Sequence, residues 1–311
     1  MKIMKATALV HGAATIVAAF ATGMGGAYGL GLENKTTVKL TSSRKLSNTV
    51  NGKGGTGDRL AEFCVKKTLK HFGERYTGAA VETQTNIPVA CGLKSSSVAA
   101  NAIVLATAGA LAKRHGEIRD VKLIKGLMEQ KIQIKGREVD PLELVGIGVQ
   151  AARQAKVTVT GAYDDATASF LGGITLTDNR EMKLVHAGEL ETLKALILVP
   201  KAKAYSADVD VKRFKAFAKE TGLVWDQALA GKVYHAITLN GLINSAILGQ
   251  DAKAALKAME AGAIAAGLTG KGPAVVALTR GDGKRVREAW NGLGGRIIET
   301  TTSNEKARII E

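Results

Sequence analysis

In the stretch IPVACGLKSSSVAANAIVLA, Ile87 to Ala106, a glycine, a lysine and three serines stand directly ahead of an Ala/Val/Ile-rich run. Pro88 and Gly92 predict a tight turn, and Ser95 predicts the start of a helix reaching Arg114. The first N–H groups of such a helix have no internal partners and lie at the positive end of its dipole. Together they make an anion site suited to a nucleotide's phosphates. In that reading Ala90, Cys91, Gly92 and Leu93 shape the loop and Gly92 lets backbone approach the ligand. Lys94 adds a point charge, and Ser95, Ser96 and Ser97 offer hydroxyls to phosphate oxygens or to Mg²⁺, with Ser96 as the metal ligand. The alternative is an ordinary helix cap, which needs one serine and leaves the lysine without a task. The residues alone leave both readings open.

The totals set the frame for these groups. A chain of 311 residues that is 46% hydrophobic can bury one large core or two medium ones, and its length favours two lobes. The net charge of +15 suits nucleic acid or a polyanionic substrate, but the cations are scattered on helical segments such as VKKTLKHF and VKRFKAFAKE. With 4% aromatic residues there are few platforms for stacking bases, so a solvated basic surface is favoured over a nucleic-acid groove. Cys64 and Cys91 lack CxxC or Cys/His spacing, which argues against a zinc site or disulfide framework and for a reducing cytoplasm. Lys2 and Lys5 before an apolar run imitate a signal peptide, but His11 and Gly12 interrupt it. No later window offers about 18 uninterrupted apolar residues, so no membrane span is expected.

The elements that must position the loop are read from periodicity and punctuation. Strands are predicted at 4–10 and 27–42, the second broken by a polar turn at Glu33, Asn34 and Lys35. A helix opening at Asp58 turns Leu60, Cys64 and Phe72 inward, a strand covers Ala79 to Thr85, and Asp140-Pro141 opens a helix to Ala155. Beyond Gly172, GGITLTDN and LKALILVP read as strands, Val209 to Leu248 as largely helical, and Asp251 to Ala263 as a helix. Strand PAVVAL, helix GKRVREAW and strand GRIIET follow. This irregular alternation predicts an α+β fold with lobes at 1–172 and 173–311, closely packed and without repeats.

Other glycine patterns carry less. The formal GxGxxG at Gly52, Gly54 and Gly57 follows a polar stretch rather than a buried strand, so a loop is the better reading. GLTGKGP lacks the leading glycine and the Ser/Thr of a Walker A loop. Two further segments, TVTGAYDDATASFLGG at 158–173 and AAGLTGKGPAVVAL at 265–278, have more weight beside the loop at 92–97. Together the three resemble the signature regions of the GHMP kinases, small-molecule kinases named for galactokinase, homoserine kinase, mevalonate kinase and phosphomevalonate kinase. GLKSSS at 92–97, TGAYDDA at 160–166 and the Gly-rich ATG region at 21–31 are similar to the archaeal type of shikimate kinase, in order and spacing over nearly the whole chain.

That resemblance implies a two-lobe α+β fold with ATP and substrate in the interlobe cleft, Gly92 to Ser97 around the phosphates, and Gly270 and Gly272 in a third motif approaching them. It implies shikimate as acceptor, near the region containing Thr22, Gly23, Gly25 and Gly26. Within this class, homoserine or mevalonate is the alternative acceptor. A carboxylate can orient or deprotonate the acceptor hydroxyl. In mevalonate kinase-like members the catalytic aspartate precedes a Gly-Gly pair by seven residues, and Asp165 holds that spacing to Gly172. Asp165 is therefore the expected base. Asp164 is its catalytic neighbour, serving Mg²⁺, hydrogen bonding or pKa tuning by like-charge repulsion.

There are departures from the pattern. Ala90 replaces the first glycine of the superfamily loop, VHGAAT lacks the lysine of an APGK-like turn, and Gln154 stands where mevalonate kinase has a Mg²⁺-binding glutamate. Charge stabilisation then falls to Mg²⁺, Lys94 and the helix terminus. His11 and Cys91 are read as structural. A basic nucleic-acid-binding protein is the rival from another class, supported by charge alone.

Overall fold

The computed structural model describes residues 4–55, 58–75, 78–122, 128–158, 161–201 and 210–311. Gly57, Val159, Thr160 and Val209, named in the motifs and spans above, lie outside them. The first part of the chain runs β1 (Lys5–Val17), β2 (Met24–Leu40), β3 (Leu46–Val50), β4 (Lys53–Gly54), α1 (Asp58–His71), β5 (Ala79–Thr85) and α2 (Ser95–His115). A small sheet of β6 (Gly116–Lys122), β7 (Met128–Ile134) and β8 (Arg137–Glu138) follows, then α3 (Pro141–Gln154), α4 (Tyr163–Leu171), β9 (Ile174–Asp178) and β10 (Lys183–Gly188). The rest is β11 (Lys194–Val199), α5 (Val211–Lys215), α6 (Ala218–Leu229), α7 (Val233–Leu248), α8 (Lys253–Glu260), β12 (Ala265–Leu268), β13 (Val275–Thr279), α9 (Lys284–Ala289), β14 (Arg296–Thr301) and β15 (Arg308–Ile309).

The first sheet is organised by β2. It pairs antiparallel with β1 between Gly26 and Lys39, while its other edge is shared: β9 takes Met24 to Tyr28 and β5 takes Asn34 to Leu40. The intervening gap is filled from far along the chain, where Ser303 donates to the Gly29 carbonyl (2.9 Å), Thr302 bridges to Leu30, and β15 pairs with β1. The expected break at Glu33, Asn34 and Lys35 does not occur. Asn34 is buried, its side-chain oxygen accepts from the Thr36 hydroxyl at 2.7 Å, and the irregularity lies just ahead of Glu33, where Gly31 and Leu32 of β2 bulge against the His11–Gly12 step of β1. Burial along β2 explains its sequence: the Gly/Ala-rich start is covered on both faces, whereas from Asn34 onward burial alternates and lysines face outward.

Against this sheet lies α2, apolar all round because it is surrounded by β1, β2, α1, α3 and α4. By length and composition it could cross a bilayer, yet 83% of its apolar window is buried inside the protein, so its apolarity serves the core. Asp140 caps α3 as expected, its carboxylate accepting from the Leu142 N–H at 2.8 Å with Pro141 in the first turn. Phe72 is buried just past the end of α1.

The second sheet, in the order β12-β13-β11-β14, carries its own apolar cluster of Leu196, Leu198, Ala258, Val286 and Trp290 beneath α8 and α9. Gly267, part of the third motif, which by sequence alone could instead end a helix ahead of Pro273, lies within β12. The reason is steric, since α7 crosses β12 with Gly241 against Gly267 and neither position has room for a side chain. The hairpin of β6 and β7 and the short strand β10 were not legible. Gly241→Ala should therefore lower stability by about 1–3 kcal/mol, despite the gain of about 1 kcal/mol expected for alanine in a helix. Urea unfolding of the variant beside the parent protein checks this.

Candidate active site

α2 opens at Ser95 with Lys94 as the preceding residue, held in the left-handed region (φ 62°) and making no side-chain cap bond. The ordinary-cap reading of the three serines is thus not realised, and the helix start is left to a ligand or water. Ser96 is exposed, Ser95 half-buried and Ser97 buried. Leu93 and Cys91 turn into the core, and Ala90 and Gly92 also have positive φ (57° and 83°). Gly92 is required for a reason the sequence reading missed: a Cβ there would collide with the carbonyl of Thr269. The close approach seen in the fold is to the third motif.

That motif is bound firmly to the loop. The Thr269 hydroxyl donates to the Gly92 carbonyl (3.0 Å) and accepts from the Thr15 N–H (3.1 Å), while the Gly270 N–H donates to the Thr15 hydroxyl (2.8 Å). Gly270 and Gly272 take positive φ (58° and 72°), and a Cβ on Gly270 would stand 3.2 Å from the Lys94 ammonium.

Lys94 reaches across to the next helix. Its Nζ lies 2.7 Å from Oδ1 of Asp165, with the two side chains only 7% and 17% exposed. The contact is ionic without hydrogen-bond alignment, and Oδ1 has no hydrogen-bond partner among the described residues. A buried carboxylate oxygen charge-compensated by a lysine but still lacking a donor is fitted to receive a hydroxyl. α4 begins like α2, from a left-handed residue without a side-chain cap, Ala162 (φ 50°). It is fixed to α2 by buried Asn101, whose amide donates to the Ala166 carbonyl (2.8 Å) and the Ser169 hydroxyl (2.9 Å). At its end Gly172 and Gly173 (φ 69° and 58°) make room for backbone at Asn304 and Gly188, and the Gly173 N–H donates to the Ser303 carbonyl (2.9 Å).

Asp164 points elsewhere, as successive helical residues must. It is 4% exposed. Asn179 holds it twice, with Nδ2 donating to its Oδ1 (2.7 Å) and Oδ1 accepting its N–H (3.1 Å), while Thr177 donates to the same amide oxygen (2.8 Å). Desolvation, and then the neighbouring Asp165 charge, push its pKa up to about 7 against the pull of Lys94 and Asn179. Its other oxygen lies 2.7 Å from where a Cβ on Gly25 would be, so only glycine fits there. Around it, Gly23 turns with φ 81°, the Thr22 hydroxyl accepts the Met24 N–H (3.1 Å), and Gly26 packs on Leu176. The residues expected near the acceptor and the buried member of the aspartate pair thus form one contiguous wall.

Asn101, Asn179, Thr15 and Thr269 were not singled out from sequence. Lone buried amides and hydroxyls leave no periodic signal. His11 is buried beside Glu305 (3.6 Å), as a structural residue should be.

Residues 59–173 match the family described as GHMP kinases N terminal domain, and residues 222–295 match GHMP kinases C terminal. A shikimate kinase of Methanothermobacter thermautotrophicus is 38% identical over 100% of both chains. The chain belongs to the archaeal-type shikimate kinases of the GHMP kinase family. A second relative of this GHMP kinase, a shikimate kinase of Methanosarcina acetivorans, is 40% identical over 96% of this chain and 95% of its own. The two-lobe α+β fold is that of the Methanococcus jannaschii mevalonate kinase (TM-score 0.70, 16% identity, covering 95% and 98% of the two chains). It is shared by homoserine kinase from Cytophaga hutchinsonii (TM-score 0.69, 14% identity, 100% and 98%).

The buried Asp164 makes a prediction for this GHMP kinase. Its carboxyl holds a proton more tightly folded than unfolded, so the stability it costs grows as pH rises from about 4 to about 7. Asp164→Asn, which can still accept the Asn179 bond, should remove that pH-dependent loss, on the order of a few kcal/mol. Denaturant melts of both proteins at pH 5 and pH 8 measure it, the variant gaining on the parent at pH 8.

Proposed function

We propose that the chain transfers the γ-phosphoryl group of ATP to the ring 3-hydroxyl of shikimate, giving shikimate 3-phosphate and ADP on the route to chorismate and the aromatic amino acids. The observation that carries the chemistry is the Lys94–Asp165 contact, which sets a carboxylate lacking a hydrogen-bond donor beside an uncapped helix start. The acceptor's identity is supported by relatives named shikimate kinase along their whole length.

In this reading the N–H groups of Ser95, Ser96 and Ser97 and the dipole of α2 hold the phosphates, with Ala90 to Lys94 and the Gly270–Gly272 turn as the walls. Asp165 orients the acceptor hydroxyl and takes its proton through Oδ1. Lys94 holds that carboxylate in place, doing from the phosphate loop what other family members do from an N-terminal turn. Asp164, held by Asn179, supports the wall beneath the acceptor.

The site also fits Mg²⁺. Among the described residues no cluster of three or more His, Cys, Asp or Glu could cage a metal. A Mg²⁺ ion here would take the Ser96 hydroxyl and otherwise phosphate oxygens and water, the donor set this ion prefers. When bound it neutralises charge on the phosphates. The lobe built on the first sheet supplies loop and aspartates, and the lobe built on the second supplies the Gly270–Gly272 turn. Buried as thiols, Cys64 and Cys91 suit a reducing cytoplasm.

A coupled assay with ATP, Mg²⁺ and shikimate, homoserine or mevalonate should give turnover with shikimate; none with shikimate would end this assignment. Asp165→Asn should lose roughly 10²–10⁴-fold in kcat while calorimetry still detects nucleotide binding. Near-normal turnover would remove Asp165 from the chemistry.

A further inference from the structure

The acceptor proposed above bears a carboxylate, and a charged, planar fork is the group best suited to recognise one. The loop that walls the site holds such a fork at its rim. The turn after β9 sends consecutive residues to opposite sides of this loop: Asn179 goes inward to Asp164, and Arg180 lies across Gly23. A Cβ on Gly23 would stand 2.7 Å from Cγ and Cδ of Arg180 and 2.9 Å from its Nε, so glycine is what lets the arginine stem rest there. The turn is tied to the loop by the Asn179 N–H donating to the Gly23 carbonyl (2.9 Å) and the Thr177 hydroxyl to the Gly25 carbonyl (3.3 Å).

The guanidinium is pre-set. Asp178 accepts from Arg180 Nε (3.1 Å), Nη2 (2.9 Å) and backbone N–H (2.9 Å), which fixes the plane of the fork. Nη2 also lies 3.5 Å from the Met24 sulfur, and Nη1 has no partner among the described residues. The side chain is 63% exposed, so the free edge is open to a ligand. Gly23 touches Arg180 and Gly25 touches Asp164. Their Cα atoms are at most about 7 Å apart, the scale of one six-membered ring with its substituents.

We propose that Arg180 binds the carboxylate of the acceptor, Asp178 holding the guanidinium in place, so that the ring spans from this rim to the aspartate pair. The inference rests on shikimate being the acceptor. Its test is steady-state kinetics of the parent protein, Arg180→Met and Arg180→Lys with shikimate and with shikimate methyl ester, which keeps the hydroxyls and lacks the charge. Arg180→Met should raise KM for shikimate about tenfold or more, with KM for ATP and kcat close to the parent's, and Arg180→Lys should recover part of the loss. The parent should prefer the acid over the ester, and Arg180→Met should lose that preference. An unchanged KM for shikimate in Arg180→Met, or an undiminished preference for the acid, overturns the role of Arg180 while leaving the kinase assignment intact. A parent protein inactive on shikimate overturns the assignment itself.

Discussion

The arrangement of the site depends on one ion pair, formed between the residue that precedes α2 and a residue in the first turn of α4. Each helix starts from a left-handed residue with no side-chain cap, so two positive dipole ends meet where Lys94 touches Asp165. Such a place is electrostatically incomplete without anions. Asp165 supplies one fixed negative charge, and a phosphate chain would supply the rest. Taking a lysine and a carboxylate out of water is costly unless their geometry is held, and here the surrounding bonds hold it. Asn101 locks α4 to α2, and the Thr15, Thr269 and Gly92 bonds lock the loop to the second lobe.

The two aspartates show how adjacent residues of one type acquire different tasks. Asp165 faces the phosphate loop, partly open and beside a cation; Asp164 faces Asn179 and Gly25, without solvent. Proximity to a second carboxylate and burial both favour the protonated form of Asp164, so one member of the pair is kept from competing with the other for charge.

Much of this was legible in the chain. The start of α2 at Ser95, the Asp140-Pro141 entry to α3 and the strand Ala79 to Thr85 follow from local signals, because caps, prolines and alternation act over a few residues. The failures have a common cause in long-range contact. Nothing local distinguishes Glu33, Asn34 and Lys35 from a turn; they are strand because β1 and β5 flank them. Gly267 reads as a helix end until α7 is laid across it. In the site, loop and aspartates carried recognisable spacing, whereas Asn101 and Asn179 reach partners as far as 68 and 15 residues away. That Lys94 reaches the aspartate is invisible before α2 and α4 are packed together, and that Gly92 yields to Thr269 is invisible before the lobes meet.

The segment from Thr302 to Ile309 fills the open edge of β2, crosses Gly172 and Gly173 behind α4, and pairs with β1. The ribosome makes it long after the strands it completes. A nascent chain already holding every residue of the phosphate loop and both aspartates still lacks the strap that backs α4. Until those last residues emerge, the open edge of β2 and the back of α4 stay uncovered.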